Sequence, residues 1–399
     1  MADTRIMGYL LKMERLRQNK GQKEICYGIC VPSYLSKIEH GTVEPATEIL
    51  QQLYERLGIH IESDPLVLDR IKNKIERYYS DLQYYFENSI YEELCEEREF
   101  LDYSMYTIDW LIIQALEGED TLEQLKQCED FMTKQQKGYF AMILASFWQT
   151  SIGKNKEKEK LKREKMIEES RRGYELLGTA YAYNQVIYSY YLLGEYAKVH
   201  QMESTLVNLA VKEGNTCALA DYYVLNGSAY ACLNMDEMMM TCYTRAMNLL
   251  KNTRWEKLLQ EIYYNIGATY ISLKKYEDAM MYLNKIENPK FLTNHKKGII
   301  MIRTGKIEEG KRFLKKAEEY TLENSDRLRL REAYMECEKD YLSNPMYLQL
   351  LEELLKALEQ ERHFGHIYFY KDVLLAAYKS QRKYKKMVEI MELFEEKRM

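Results

Sequence analysis

The sequence predicts an all-α protein: a small N-terminal head of four short helices, then a right-handed superhelix of stacked helix pairs. Three observations carry this. Only 5 prolines and 18 glycines interrupt 399 residues in which Leu, Glu, Lys and Met abound, so little in the chain breaks a helix. Apolar residues recur at helical spacing from Ile6 onward. Look-alike segments return at steps of 31 to 40 residues, the mark of a repeat architecture.

The head comes first. Helix one uses Ile6, Met7, Leu10, Met13 and Leu16 as its apolar face and ends by Gly21. Helix two starts at Gln22, buries Ile25 and Cys26, and stops at Gly28. The stretch "SYLSKIEHG" (33–41) supplies helix three. Val31, Leu35 and Ile38 fall on one face, Ser33, Lys37 and His40 on the other, with Tyr34 and Ser36 on the flanks. Pro32 suits a first helical position, where the missing N–H would lack a partner anyway. Gly41 suits the left-handed residue past the end. Helix four follows Pro45, uses Ile49, Leu50, Leu53 and Leu57, and stops at Gly58. The short, glycine-containing gap between helices two and three forces the steep crossing of a helix-turn-helix. Thr4 to Ile38 carry seven basic and two acidic residues in a chain of net charge −5. A basic head on an acidic body suits a polyanion partner.

The body comes after a linker, "GIHIESDPLV" (58–67), and an amphipathic helix, which divides the chain into 1–62, 63–88 and 89–399. The segments "YSYYLLGEYAKV", "GSAYACLNMDEMM", "GATYISLKKYEDA" and "LLAAYKSQRKYKKM" share a tyrosine, a second Tyr or Asp further on, and then a small or apolar residue. Their leading positions are Ile187, Gly227, Gly267 and Leu375, with a weaker copy at Gly298; the last step, 77 residues, fits two more units. A helix pair cannot bury its apolar face alone, so such pairs stack and enclose a concave wall built from each first helix. Tyr181, Asn184, Gln185 and Tyr188, then Glu261, Tyr264, Asn265 and Ala268, are the inward positions, and Lys296 takes the place of Asn265 in the weaker unit. An asparagine amide donates to and accepts from one peptide unit at once, so this wall suits an extended peptide, and Lys296 a terminal carboxylate. Residues 89–170 read as helical with poor repeat register, and the charge run at 153–172 as a solvated helix or loop.

Other classes find little support. The eight cysteines are scattered without Cys-x-x-Cys pairs and read as small hydrophobes in a reducing cytoplasm. His363 and His366 are the only close histidine pair, and no metal site is expected. No phosphate loop, dinucleotide loop or nucleophile triad is present, so neither catalysis nor a cofactor is expected. No signal-peptide core or membrane-length apolar run occurs, so the expected location is cytoplasmic. The 36 tyrosines serve as filler between helices or as rings and hydroxyls lining a groove.

At these residues a resemblance enters. "QKEICYGICVPSYLSKIEHGTVEPATEILQQL" resembles the DNA-binding module of the Xre family, in its PlcR-like subgroup. The resemblance implies that Gln22 bonds a phosphate and that Ser33, Tyr34 and Lys37 face base edges or flanking phosphates in the major groove. Pro32 stands where many relatives carry a polar base-reading residue. Arg15 and Glu39 match an ion pair that locks helix one to the recognition helix. The repeats resemble tetratricopeptide (TPR) units, and head plus body resemble the RRNPP family of Gram-positive peptide-sensing regulators. In that family a short signalling peptide enters the repeat groove and shifts a dimer between arrangements of different operator affinity. The implied partners are a two-fold symmetric DNA operator, a quorum-sensing peptide and a second copy of the chain. The implied peptide contacts are Asn184, Gln185, Tyr188, Tyr264, Asn265 and Lys296; Asn265 matches the family's repeat position and Asn184 lies one residue off it. The alternatives are a repeat scaffold for a protein partner, or a dimeric repressor whose repeats only dimerise.

Overall fold

Four short helices open the chain; Asn19, at φ +54°, turns the chain after the first, and glycines stop the other three. They are α1 (Arg5–Arg17), α2 (Gln22–Cys26), α3 (Pro32–Glu39) and α4 (Thr47–Arg56). Gly28, Gly41 and Gly58 take φ of +73°, +64° and +77°, the left-handed backbone that ends a helix and that L side chains resist. The computed structural model describes residues 5–61, 64–86, 89–150, 156–233, 235–251, 256–320, 322–360 and 364–396. Among these, all regular structure is helical.

The described chain divides into two compact units, 1–186 and 187–399. In the first, α1 to α4 are succeeded by α5 (Pro65–Gln83), α6 (Ile90–Cys95), α7 (Arg98–Leu101), α8 (Thr107–Leu116) and α9 (Leu122–Gln127). The hairpin α10 (Lys134–Thr150) and α11 (Lys156–Leu177) and the start of α12 (Ala180–Leu192) complete it. Asp64 caps α5, its Oδ1 accepting from the Leu66 N–H at 2.9 Å. The described part of the charge run forms α11, whose buried Met166 and Ser170 break an otherwise solvated surface.

The head's core holds Ile6, Ile25, Leu35, Ile38, Leu50 and Leu53, as the periodicity requires, and also Leu11, which the apolar face read from the sequence left out. Three expected core positions are corrected. Val31 is 62% exposed, because it is the extended N-cap of α3 and not part of its apolar stripe. Met13 and Leu16 are exposed, and Tyr54, unassigned from sequence, is buried, its Oη donating to the Met7 carbonyl at 2.7 Å. The head also shares its core with later helices of the first unit. Tyr9 packs on Phe131 (5.4 Å between centroids) and Tyr54 meets Tyr103 edge-on (6.2 Å).

The second unit continues α12 through α13 (Tyr196–Gln201) and α14 (Glu203–Glu213). Helix pairs come next: α15 (Thr216–Cys232) with α16 (Asp236–Leu250), α17 (Glu256–Ser272) with α18 (Tyr276–Leu283), and α19 (Phe291–Arg303) with α20 (Ile307–Glu318). Two more are α21 (Asn324–Met335) with α22 (Pro345–Gln360), which lies within the 77-residue step, and α23 (Phe364–Ser380) with α24 (Tyr384–Glu396), which carries Leu375. The repeat glycines are explained by close approach within pairs. A Cβ at Gly227 would lie 2.6 Å from the Tyr243 ring, at Gly267 2.7 Å from Leu283, and at Gly298 2.8 Å from Leu314. α23 also packs on α15 and α17.

Candidate functional site

The residues singled out by the sequence fall into two sets. The first centres on α3. Leu35 and Ile38 anchor one face in the head's core, and Gly8 lets α1 come so close that a Cβ there would lie 2.0 Å from the Ile38 carbonyl oxygen. Glu39 fixes the last turn: Arg15 Nε and Nη2 donate to its two oxygens at 2.6 and 2.9 Å, and Arg15 Nη1 donates to the Lys20 carbonyl. Gln22 Nε2 donates to the same carboxylate at 2.7 Å. The structure therefore places the Gln22 amide nitrogen on Glu39, where it fastens α2 to α3. On the other face Pro32, Ser33 and Lys37 are exposed and Tyr34 is half-buried. His40 leans back, its Nδ1 2.6 Å from the Ser36 carbonyl oxygen. Tyr27 and Val31, missed by sequence reasoning, are exposed just ahead of α3. A small hydroxyl, a ring and a cation thus stand on one rigid, solvent-facing helix.

The other candidates lie on first helices of the repeats, some in each unit. In the first unit, Asn184 is buried and its Nδ2 donates to Tyr85 Oη at 3.1 Å, while the Tyr85 and Tyr181 rings meet edge-on at 5.4 Å. Gln185 and Tyr181 line a cleft of about 310 Å³ with Met142, Ile143 and Phe147. In the second unit, Tyr188 is exposed and stacks on Tyr191, and Asn265 is half-buried. Burial holds the Tyr264 phenol above its usual pKa, and the Arg329 guanidinium nearby works against it.

Lys296 is 1% exposed. Its Nζ sits 2.9 Å from the centroid of the Phe369 ring and 5.6 Å from that of Tyr370, both on α23. It lies in a group of charges that sequence reasoning did not assemble: buried His295 and half-buried Arg303 on α19, buried Arg329 and Glu332 on α21, and Glu336 at the C-cap of α21. Arg303 takes both oxygens of Glu336 at 2.6 and 3.0 Å. Arg329 Nη1 donates to Asp326 at 2.6 Å, and Tyr347 Oη donates to Glu332 Oε1 at 2.6 Å. His295 Nε2 lies 3.2 Å from the Arg329 carbonyl oxygen. Burial, then Arg329 and Arg303, hold the Lys296 ammonium well below the ordinary lysine pKa. Burial and Glu336 hold the Glu332 carboxyl well above the ordinary range. Both shifts favour neutral forms, as desolvation demands. Lys296 Nζ, Arg329 Nε and Nη2, Glu332 Oε2 and Tyr370 Oη have no hydrogen-bond partner among the described residues. Each such atom costs about 1–3 kcal/mol, more where charged.

Among the described residues no group of His, Cys, Asp and Glu is placed to hold a metal. The His363 and His366 side chains lie outside the described residues. The eight cysteines are free thiols, and no described helix is long and apolar enough to cross a membrane.

The class that this fold defines is the all-helical protein of stacked TPR-like pairs, and solved structures share it. A Rap protein complexed with Competence and Sporulation Factor is similar at a TM-score of 0.56 and 12% identity, over 83% of this chain and 100% of that one. The apo quorum sensor NprR from B. thuringiensis is similar at 0.54 and 17%, over 82% and 99%. PlcR from Bacillus thuringiensis, bound to a peptide and DNA, matches at 0.36 and 18%, over 63% and 95%. These three are quorum-sensing proteins of the RRNPP family. No protein-family model matches the sequence, and no curated protein does.

Proposed function

We propose that this chain is a cytoplasmic transcriptional regulator of the RRNPP type. Its α3 enters the major groove of a two-fold symmetric operator, and a short signalling peptide held by the first helices of the repeats sets operator affinity. The observation that carries the reading is α3 itself: Leu35 and Ile38 buried, Glu39 locked by Arg15, and Ser33 and Lys37 left to solvent. A helix fixed so firmly along one face, with hydroxyl and cation on the other, has the form of a recognition helix. The Xre-like spacing of the head agrees with it. The peptide half of the reading is supported by the half-buried Asn265 on α17 and by the fold shared with a quorum sensor and with a Rap protein complexed with Competence and Sporulation Factor.

In mechanism, two copies present two α3 helices about 34 Å apart, one turn of DNA. A peptide that prefers one arrangement of the repeats changes how the heads are held, with a coupling of about 1–3 kcal/mol. The test is polarisation binding of the full chain to DNA selected from a randomised palindrome pool, with and without the short peptides encoded beside the gene. Selective DNA binding altered at least fivefold by one peptide is expected. Selective binding indifferent to every peptide overturns the sensing half, and no selective binding overturns the regulator reading.

A further inference from the structure

The unpartnered polar atoms around Lys296 make an unbalanced set. Arg303 and Glu336 satisfy one another through two hydrogen bonds. Arg329 spends one nitrogen on Asp326 and keeps Nε and Nη2 unspent, Lys296 keeps Nζ, and Glu332 keeps Oε2. Lys296, Arg329 and Glu332 are each more than nine-tenths buried. With Arg303 paired to Glu336 and Arg329 to Asp326, what is left over is a set of donors: Lys296 Nζ, Arg329 Nε and Nη2, and the Glu332 carboxyl, whose proton burial favours. A cation would bring no acceptor, one water accepts from only part of the set, and an anion would favour the ammonium form of Lys296 that burial opposes. A planar anion with two acceptor oxygens completes the set.

We propose that Lys296 and Arg329 form a carboxylate subsite that takes the C-terminal carboxylate of the bound peptide, with the Phe369 ring as its cover. The proposal rests on the peptide reading above. Phe369 stands where the carboxylate must come, its ring against Lys296 Nζ and 5.8 Å from Arg303 Cζ. Entry requires the half-buried ring to turn aside, which exchanges the contact of Lys296 Nζ with the ring for one with the carboxylate. α23, which carries Phe369, also packs on α15 and α17, so the covering ring sits on a helix that touches the wall bearing Tyr264 and Asn265.

The test is a competition on the immobilised full-length protein. Two randomised heptapeptide pools, identical except for a free C-terminal carboxylate or an amide, are applied in equal amounts, and the captured peptides are read by mass spectrometry. At least tenfold enrichment of free acids is expected. K296M, which keeps the chain length but no charge, should bring that ratio to one and raise the melting temperature of the unliganded protein. R329K, which keeps the charge, should retain at least half of the preference. Capture of both pools equally, or a preference that survives K296M, overturns the subsite and leaves the peptide reading standing. Capture of neither pool overturns both.

Discussion

Arg15 closes on Glu39 with two buried hydrogen bonds, 2.6 Å from Nε and 2.9 Å from Nη2, and so ties α1 to the last turn of α3. Removing one partner leaves the other as a buried unpaired charge. R15M is expected to cost about 3–5 kcal/mol, read as a lower urea midpoint for the first unit. An unchanged midpoint would mean that α3 is positioned without this pair.

Gly8 makes a second, independent claim on α3. An alanine there puts its Cβ 2.0 Å from the Ile38 carbonyl oxygen, and because the obstacle is backbone, the helices must part. G8A should destabilise by about 3 kcal/mol or more, toward the upper end of overpacking costs. G21A, at a site with nothing within 4 Å, should change stability little. Equal melting temperatures for the two variants would refute the close approach.

The exposed face of α3 yields a prediction with its own signature. K37A should weaken binding to every DNA sequence and reduce the slope of log K against log salt by about one. S33A should leave the slope unchanged and relax selectivity at a single base pair. If neither substitution changes binding, α3 is not the recognition helix.

Asp109 offers a pH test of the first unit. Tyr79 Oη donates to its Oδ1 at 2.9 Å and Gln136 Nε2 to its Oδ2 at 2.8 Å. Tyr106 and Tyr139, both neutral near neutral pH, also lie around it. Burial outweighs the two hydrogen bonds and pushes the carboxyl from 3.8 up to about 6. Because the folded pKa is raised, the stabilising contribution is complete below about pH 4 and is lost as pH rises through 6. The loss by pH 7 is on the order of 3 kcal/mol. D109N should flatten that part of the stability profile, measured by urea denaturation from pH 4 to pH 8. A wild-type profile that is flat, or that rises, would contradict the burial argument.

What could be read in advance differs along the chain for physical reasons. The turns at Gly28, Gly41 and Gly58 were legible because a left-handed residue that ends a helix is a local requirement. The repeat glycines were legible because the same close packing recurs in each pair, so Gly227, Gly267 and Gly298 recur with it. Val31 was misassigned because periodicity cannot tell the last extended residue from the first helical one. Tyr54 went unnoticed because its burial depends on Tyr103, a residue of a later element.

By itself, then, the sequence determined an all-helical chain, the ends of the head's helices, the face of α3 that meets its core, and the repeating pairs. These rest on interactions between near neighbours, which spacing encodes. Tertiary structure alone decided that Tyr9 and Tyr54 pack the head onto Phe131 and Tyr103, and that Gln22 turns to Glu39. It also decided that Lys296 lies buried under Phe369 beside Arg329 and Glu332. Whether a charge is solvated, paired or stranded depends on which distant helices close over it, and a helical repeat records only that some helix will.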